Sequence, residues 1–295
     1  MTPTTPRIAY SYGESGAGLE PPAPGRGLIV HVVLNVEHWP LDAPMPRKLL
    51  GSPHGADHIP DVPNYSWAEY GMRRGLPRVV SALTGRGLPA SVSFNAAVID
   101  AYPEAAGRLR DTGWEFVAHG LHQQALPSAP DESVVIDECL RKIEEFTGRR
   151  PRGWLGPGLQ ETFTTPDLLA AAGVDYTCDW VVDDVPVWLA AQPRPLVALP
   201  YSLELNDSII YATEKHSSDE MYRRFTETVE VLAAEAALEP RVLTLPIHPH
   251  MVGVPHRIRY FDRILDELSN REDVIFLTGS EICDWFTGQR PATEH

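Results

Sequence analysis

Gly27-Leu28-Ile29-Val30-His31-Val32-Val33-Leu34-Asn35 runs directly into Val36-Glu37-His38-Trp39-Pro40, and this junction decides the fold. A nearly continuous apolar run without strict alternation belongs to a strand buried on both faces, as in a parallel sheet packed against helices. Residues able to do chemistry begin where the run ends. In parallel α/β architectures functional groups collect at the carboxyl ends of the strands. The change at 35–38 therefore suggests both an architecture and a place for a site.

Working outward, Met1 to Arg26 is rich in Pro and Gly and shows no periodicity, so it reads as an extended arm, either wrapping a neighbour or disordered. It lacks the basic start and apolar core of a signal peptide. Trp39 to Tyr65 is a long polar loop containing Pro, Gly and His, of the kind usually reserved for function or motion. Beyond it helices and strands alternate. Trp67 to Arg86 is helical in part, and a strand is expected around Ala90 to Asn95. Pro103 opens a helix that Gly113 ends, before a strand at Trp114 to Ala118. Asp131 caps a helix with Val135, Cys139, Ile143 and Phe146 at helical spacing and Gly148 as its stop. A short helix from Pro166 to Ala172 precedes strands at Val174 to Cys178 and Leu196 to Tyr201. Ser218 is expected to cap a helix carrying Met221, Phe225, Val229 and Leu232 on one face. A strand at Arg241 to Ile247, a helix over 258–269, a strand at Val274 to Leu277 and a helix near Glu281 to Phe286 complete the chain. Seven or eight strand–helix units over residues 27–295 argue for one closed barrel domain rather than an open sheet.

The chain has 295 residues and a net charge of −15, with no basic run. A nucleic-acid partner is therefore disfavoured. No apolar run approaches the length of a membrane span, and the expected setting is cytoplasmic. Its three cysteines, Cys139, Cys178 and Cys283, make neither a disulfide framework nor a zinc knuckle. A glycine-rich phosphate loop after the first strand is missing, as is a Gly-x-Ser-x-Gly elbow.

Polar clusters fall at the strand ends. Glu37 is the best candidate for a water-activating carboxylate, and its neighbour His38 reads as a ligand, a proton shuttle or a loop residue. His119-Gly120-Leu121-His122-Gln123 follows a strand directly. A histidine with a second ligand four residues on can hold a metal, but the fourth position here is Gln123, a poor zinc ligand. His119 is read as catalytic or ligating, and His122 as structural or functional. His248-Pro249-His250 holds two imidazoles in stiff, extended geometry. One of them suits a general acid or oxyanion donor, and His248 is the preferred choice. Asp183-Asp184 is either a turn with a helix cap or the acceptor that orients a catalytic histidine. Tyr201 and Asn206, within YSLELND, suit hydrogen bonding to a flat polar ring.

Taken in order, six pieces resemble the polysaccharide deacetylase superfamily from about Gly27 to Phe286. They are Asn35-Val36-Glu37, Glu115 to Gly120, Gly153 to Gly158, Asp183 to Pro186, Tyr201 to Asp207 and His248 to Pro255. Within it the chain looks most similar to the metal-independent branch of allantoinases and cyclic imide hydrolases. The resemblance implies a distorted, incomplete (β/α) barrel of about seven parallel strands. Metal-using members carry an Asp base and an Asp ligand on the first strand, then His-x-x-x-His. In one register Asn35 takes the base position and Glu37 the ligand position; in the other Glu37 is the base and His38 the ligand. Gln123 replaces the second histidine, and Leu155 replaces an expected arginine.

The resemblance implies a hydrolase opening a small cyclic imide or ureide. Glu37, His119, His248 and His250 would be catalytic, and Asn35, Trp180, Asp184, Tyr201 and Asn206 would hold the ring. No cofactor is expected; were zinc bound, Glu37, His38 and His119 would be its ligands. The family also implies a homo-oligomer, a dimer or tetramer. A metal-dependent deacetylase of an amino sugar or peptidoglycan fragment is the alternative, and an inactive ligand-binding barrel is a second.

Overall fold

The structure, a computed structural model, describes residues 6–51 and 57–292. Positions 1–5 of the expected arm and 52–56 of the long loop lie outside the described residues. The strands are β1 (Leu28–Val36), β2 (Ser91–Phe94), β3 (Glu115–Ala118), β4 (Gly153–Trp154), β5 (Tyr176–Thr177), β6 (Val187–Leu189), β7 (Leu196–Ala198), β8 (Arg241–Ile247) and β9 (Val274–Phe276). They form one sheet in the order β6-β7-β5-β4-β3-β2-β1-β8. β9 takes the start of β1 at Leu28–Val30, whereas β2 takes its end at Val33–Val36. All pairings are parallel except that of β6 with β7. Eight of the strands are parallel, in line with the about seven expected, and antiparallel β6 is added to them.

Nor does the barrel close by a strand ladder, as the repeat of strand–helix units alone suggests. Between β8 and the β6–β7 edge the described residues provide bridges instead: Val242 N donates to Asp184 O (2.8 Å) and Thr244 Oγ1 to Pro200 O (2.8 Å). The sequence supplies a reason. Arg241 N donates to Gly27 O on the β1 side, whereas Val242 N faces the seam. Strand alternation then puts position 246 on the seam side, and Pro246 has no N–H to give there.

β1 is buried along its whole length and its two faces differ. Leu28, Val30, Val32, Leu34 and Val36 pack in the layer between sheet and helices. Ile29 and Val33 face the barrel interior with Val117, Leu155 and Tyr176. Near the amino ends of the strands the interior is polar but satisfied in part. His31 Nε2 meets Ser91 Oγ (2.9 Å), Ser91 Oγ donates to Glu115 Oε2 (2.9 Å), and Tyr176 OH donates to Glu115 Oε1 (2.9 Å).

The helices are α1 (Val62–Tyr70), α2 (Leu76–Thr84), α3 (Val98–Ala101), α4 (Pro103–Arg110), α5 (Glu132–Thr147), α6 (Thr165–Ala171), α7 (Glu220–Ala236), α8 (Pro255–Ser269) and α9 (Gly279–Gln289). A π-helical turn, Gly71–Gly75, joins α1 to α2. Asp131 caps α5 by accepting from Ser133 N, and Gly148 ends it at φ +74°. Three boundaries differ from expectation. Asp219 rather than Ser218 is the N-cap of α7. α8 starts at Pro255, not 258, since proline is preorganised for a first helical turn. α9 starts at Gly279 because Thr278 and Glu281 form a capping box.

Parts of the described arm pack on the barrel, while Tyr10 and Tyr12 are exposed. Arg7 pairs with Asp167 (2.9 Å), Leu19 is buried, and Glu20 O accepts from Trp285 Nε1 (2.9 Å).

Candidate functional site

Parity along β1 sets up the site. Residues 29, 31, 33 and 35 face the interior, so Glu37, the first residue beyond the strand, continues that side, and His38 turns away. The Glu37 side chain is buried among three donors or potential donors. Trp39 Nε1 donates to Oε2 (2.8 Å), His248 Nε2 lies 3.4 Å from Oε1, and His119 Nε2 lies 4.0 Å from Oε1. Burial by itself would raise the Glu37 carboxyl. The neighbouring imidazoles of His119 and His248 and the charge of His248 outweigh it, holding Glu37 well below the usual carboxylate range.

His248 is oriented from behind. Asp207, fully buried, accepts from His248 Nδ1 (2.6 Å), His248 N (2.8 Å) and Val252 N (3.2 Å). Burial opposes protonation of His248, but the charge and hydrogen bond of Asp207, with Glu37 opposite, push it up to about 9. Near neutral pH this imidazole is therefore a buried cation between two carboxylates.

His119 is set by neighbouring strand ends. Its N–H donates to Phe94 O (3.2 Å) and its own carbonyl accepts from the Asn95 amide, whose Oδ1 accepts from His38 N (2.9 Å). Leu155 O accepts from His119 Nδ1, which fixes the tautomer and leaves Nε2 with a lone pair. That Nε2 is buried with no protein partner. Gly120, at φ +69°, makes the turn out of the strand, and a Cβ there would press on Pro157 at 3.2 Å.

Glu37, His119 and His248 line a cavity of about 440 Å³ together with Asn35, Gln123, Asp179, Tyr201, Asn206 and Arg47. Asn35 Nδ2 donates to Tyr201 OH (3.4 Å) and Ile247 O (3.3 Å). Asn206 Oδ1 accepts from Ser208 N (2.9 Å). These three expected ring-binding residues thus share the cavity with the expected catalytic ones.

Other expected residues are placed elsewhere. His250 stands behind the cavity wall between Trp39 and Trp67, with ring centroids 5.1 and 4.7 Å away, and burial lowers it to about 3. Trp180 does not line the cavity and donates to Glu161 Oε2 (2.9 Å). His38 pairs instead with His122, Nδ1 to Nδ1 2.9 Å. Asp184 lies beside the start of β8, where its carbonyl accepts from Val242 N and its carboxyl is affected by Glu235 and Arg241. The structure corrects its expected role: Asp207 orients the histidine. The loop between β5 and β6 carries 183–184 across to the start of β8, where Asp184 O accepts from Val242 N.

Three contributors were missed from sequence. Asp207 was adjacent to the chosen Asn206 and could have been found as the carboxylate of YSLELND. Trp39 directly follows His38. Asp179 faces the cavity and sits against Glu161. Burial, followed by the neighbouring carboxylate, raises Glu161, and burial raises Asp179, so the pair retains a proton more readily than two isolated acids.

A metal fits this donor set poorly. Among the described residues no three His, Cys, Asp or Glu side chains are grouped to hold one. Glu37 Oε1, the ligand in one register, faces the cationic His248, and His38, the ligand in the other, is turned toward His122.

The loop carrying His248 depends on close backbone approach. A Cβ on Gly75 would lie 1.9 Å from Pro249 O, and one on Gly71 2.6 Å from His250 Cβ. Gly75→Ala is expected to cost about 1–3 kcal/mol of stability through overpacking and to lower turnover by moving residues 248–250. Thermal unfolding together with kinetics checks this; wild-type values for both would refute it.

Residues 66–177 match the family described as Polysaccharide deacetylase. That segment contains His119 but stops short of Glu37 and His248. The peptidoglycan deacetylase of Helicobacter pylori is 22% identical over 276 residues, 82% of this chain and 92% of that protein. Among solved structures, Puue allantoinase aligns with TM-score 0.78 and 24% identity over 97% of this chain and 100% of that one. A probable polysaccharide deacetylase from Pseudomonas aeruginosa PAO1 aligns with TM-score 0.79 and 23% identity over 96% and 100%. At such identities the structural likenesses establish the fold.

Proposed function

We propose that this chain, which carries a polysaccharide deacetylase domain, is a hydrolase that opens small cyclic imides or ureides without a metal. The observation that carries the reading is the buried Glu37 carboxylate set between His119 and the Asp207-held His248 cation. A water donating one hydrogen to Glu37 and the other to the lone pair of His119 Nε2 would be aligned for attack on a carbonyl in the cavity. Glu37 takes the proton as the oxygen–carbon bond forms. His248 Nε2–H stabilises the oxyanion, then transfers its proton to the nitrogen as the carbon–nitrogen bond breaks. Across 3.4 Å Glu37 then returns a proton to His248, restoring both groups.

A bound metal would supply several kcal/mol by polarising the carbonyl. Without that help, the substrate itself has to be activated. In an imide or ureide a second carbonyl withdraws electrons from the shared nitrogen, making the attacked carbon more electrophilic and the departing nitrogen more stable. A cavity of about 440 Å³ suits a molecule of that size. His119, His248, Asn35, Tyr201 and Asn206 hold and polarise it, while His250 supports the loop.

The rival is acetate release from an amino sugar, favoured by the name of the Helicobacter pylori relative. Succinimide and hydantoin should be opened at the same rate with and without a strong chelator, read by loss of ring absorbance and by product titration. Acetate release from an N-acetylglucosamine oligomer that stops with chelator would replace the proposal by the rival. A folded protein inert toward both would favour a ligand-binding barrel.

A further inference from the structure

We infer that Arg47 makes this site selective for a ring bearing a carboxylate arm. The inference rests on the ring-opening reading above and deepens it. Arg47 reaches the site from the long polar loop and lines the catalytic cavity of about 440 Å³. It also lines an adjoining cavity of about 290 Å³. The two spaces share Glu37, Gln123, Gly158 and Gln160, so they adjoin. The outer space is walled by the apolar Trp39, Pro44, Pro46, Ala125 and Pro157 and by the polar Glu37, Gln123 and Gln160.

Arg47 differs from the paired arginines. Arg7, Arg86, Arg152, Arg224, Arg241 and Arg271 are each held by one or more carboxylates. Among the described residues no hydrogen bond or ion pair fixes the Arg47 guanidinium, although it is partly buried in a chain of net charge −15. A guanidinium kept from abundant carboxylates at the junction of two cavities is available to a ligand. Its planar fork matches a carboxylate in bidentate geometry.

The charge balance limits the arm to a single negative charge. His248 faces two carboxylates, Asp207 and Glu37, and Arg47 brings these four groups to a net charge of zero. A monocarboxylate adds one negative charge beside Glu37, whereas a phosphate dianion adds two. The ring would lie beside Glu37, while a short arm passes into the outer space and its carboxylate meets Arg47. Tyr201, Asn35 and Asn206 contact the ring rather than the arm.

Hydantoin and hydantoin-5-acetate share a reactive ring and differ by that arm. The wild type should open hydantoin-5-acetate with a kcat/KM about 10–100 times that for hydantoin, the range of a charge-assisted pair. Arg47→Met should reduce this preference at least tenfold, mainly through KM, and Arg47→Lys should restore part of it. Calorimetry with hydantoin-5-acetate on Glu37→Gln protein separates recognition from turnover. Binding that weakens at least tenfold when Arg47→Met is added supports the inference even if the wild type opens neither ring, an outcome that would defeat only the ring-opening reading. Equal use of both rings, or an unchanged preference in folded Arg47→Met protein, overturns the inference and leaves ring opening standing.

Discussion

Glu37→Gln is expected to lower kcat for ring opening by at least about 100-fold while the protein remains folded. Glutamine keeps the size of the side chain, and its Oε1 can still accept from Trp39 Nε1, the 2.8 Å bond that anchors the native carboxylate. What it cannot do is accept a proton from water near neutral pH. The substitution also removes one of two anions facing His248, so the imidazole loses part of its support as a cation. Base and acid are therefore both weakened, and the loss should exceed that from an altered contact alone. Far-ultraviolet dichroism and a melting curve establish folding, and pre-steady-state kinetics isolates the chemical step. A variant within threefold of wild type would remove Glu37 from the mechanism.

Asp207→Asn should have an effect of similar or larger size, on the order of 10³–10⁴-fold in kcat, by analogy with loss of the orienting aspartate in a serine-protease triad. The three hydrogen bonds to Asp207 are made by His248 Nδ1, His248 N and Val252 N. An asparagine can satisfy the backbone donors through its oxygen only by turning its NH₂ toward Nδ1. The imidazole would then be a neutral ring whose Nε2–H is too weak an acid to protonate the departing nitrogen. In the wild type, activity should persist up to about pH 9 and fall beyond it, because His248 is pushed to about 9. In Asp207→Asn the alkaline limb should move below 6.5, the ordinary histidine value, or vanish.

The same shift enters stability. Folded His248 binds its proton more tightly than in the unfolded chain, so its contribution is fully present below pH 6.5 and is lost as pH rises through about 9. A difference of that size is worth on the order of 3 kcal/mol. Melting curves between pH 6 and 10 should show wild type losing stability over this interval and Asp207→Asn losing much less. An alkaline limb common to both proteins would assign the titration to another group.

The features most legible in the sequence rest on local rules. β1 could be read because residues 28–34 are apolar on both faces, and Glu37 and His248 because they follow such strands. Helix α5 could be bounded because an aspartate cap and a left-handed glycine are local signals. What could not be read depends on long-range return of the chain. The loop before the three-residue β6 carries no recognisable pattern, yet it takes Asp184 to the start of β8 and away from the cavity. The role expected there belongs to Asp207, forty-one positions from its histidine. Arg47 was illegible for the related reason that a long loop gives no period from which to infer where a side chain points.

Pro246 bears on the molecule as a whole. The outer margin of β8 would otherwise present amide donors at 242, 244 and 246. Val242 N is taken by Asp184 O, and the proline removes the donor at 246. The margin is thereby a poor template on which further copies could stack into a fibril.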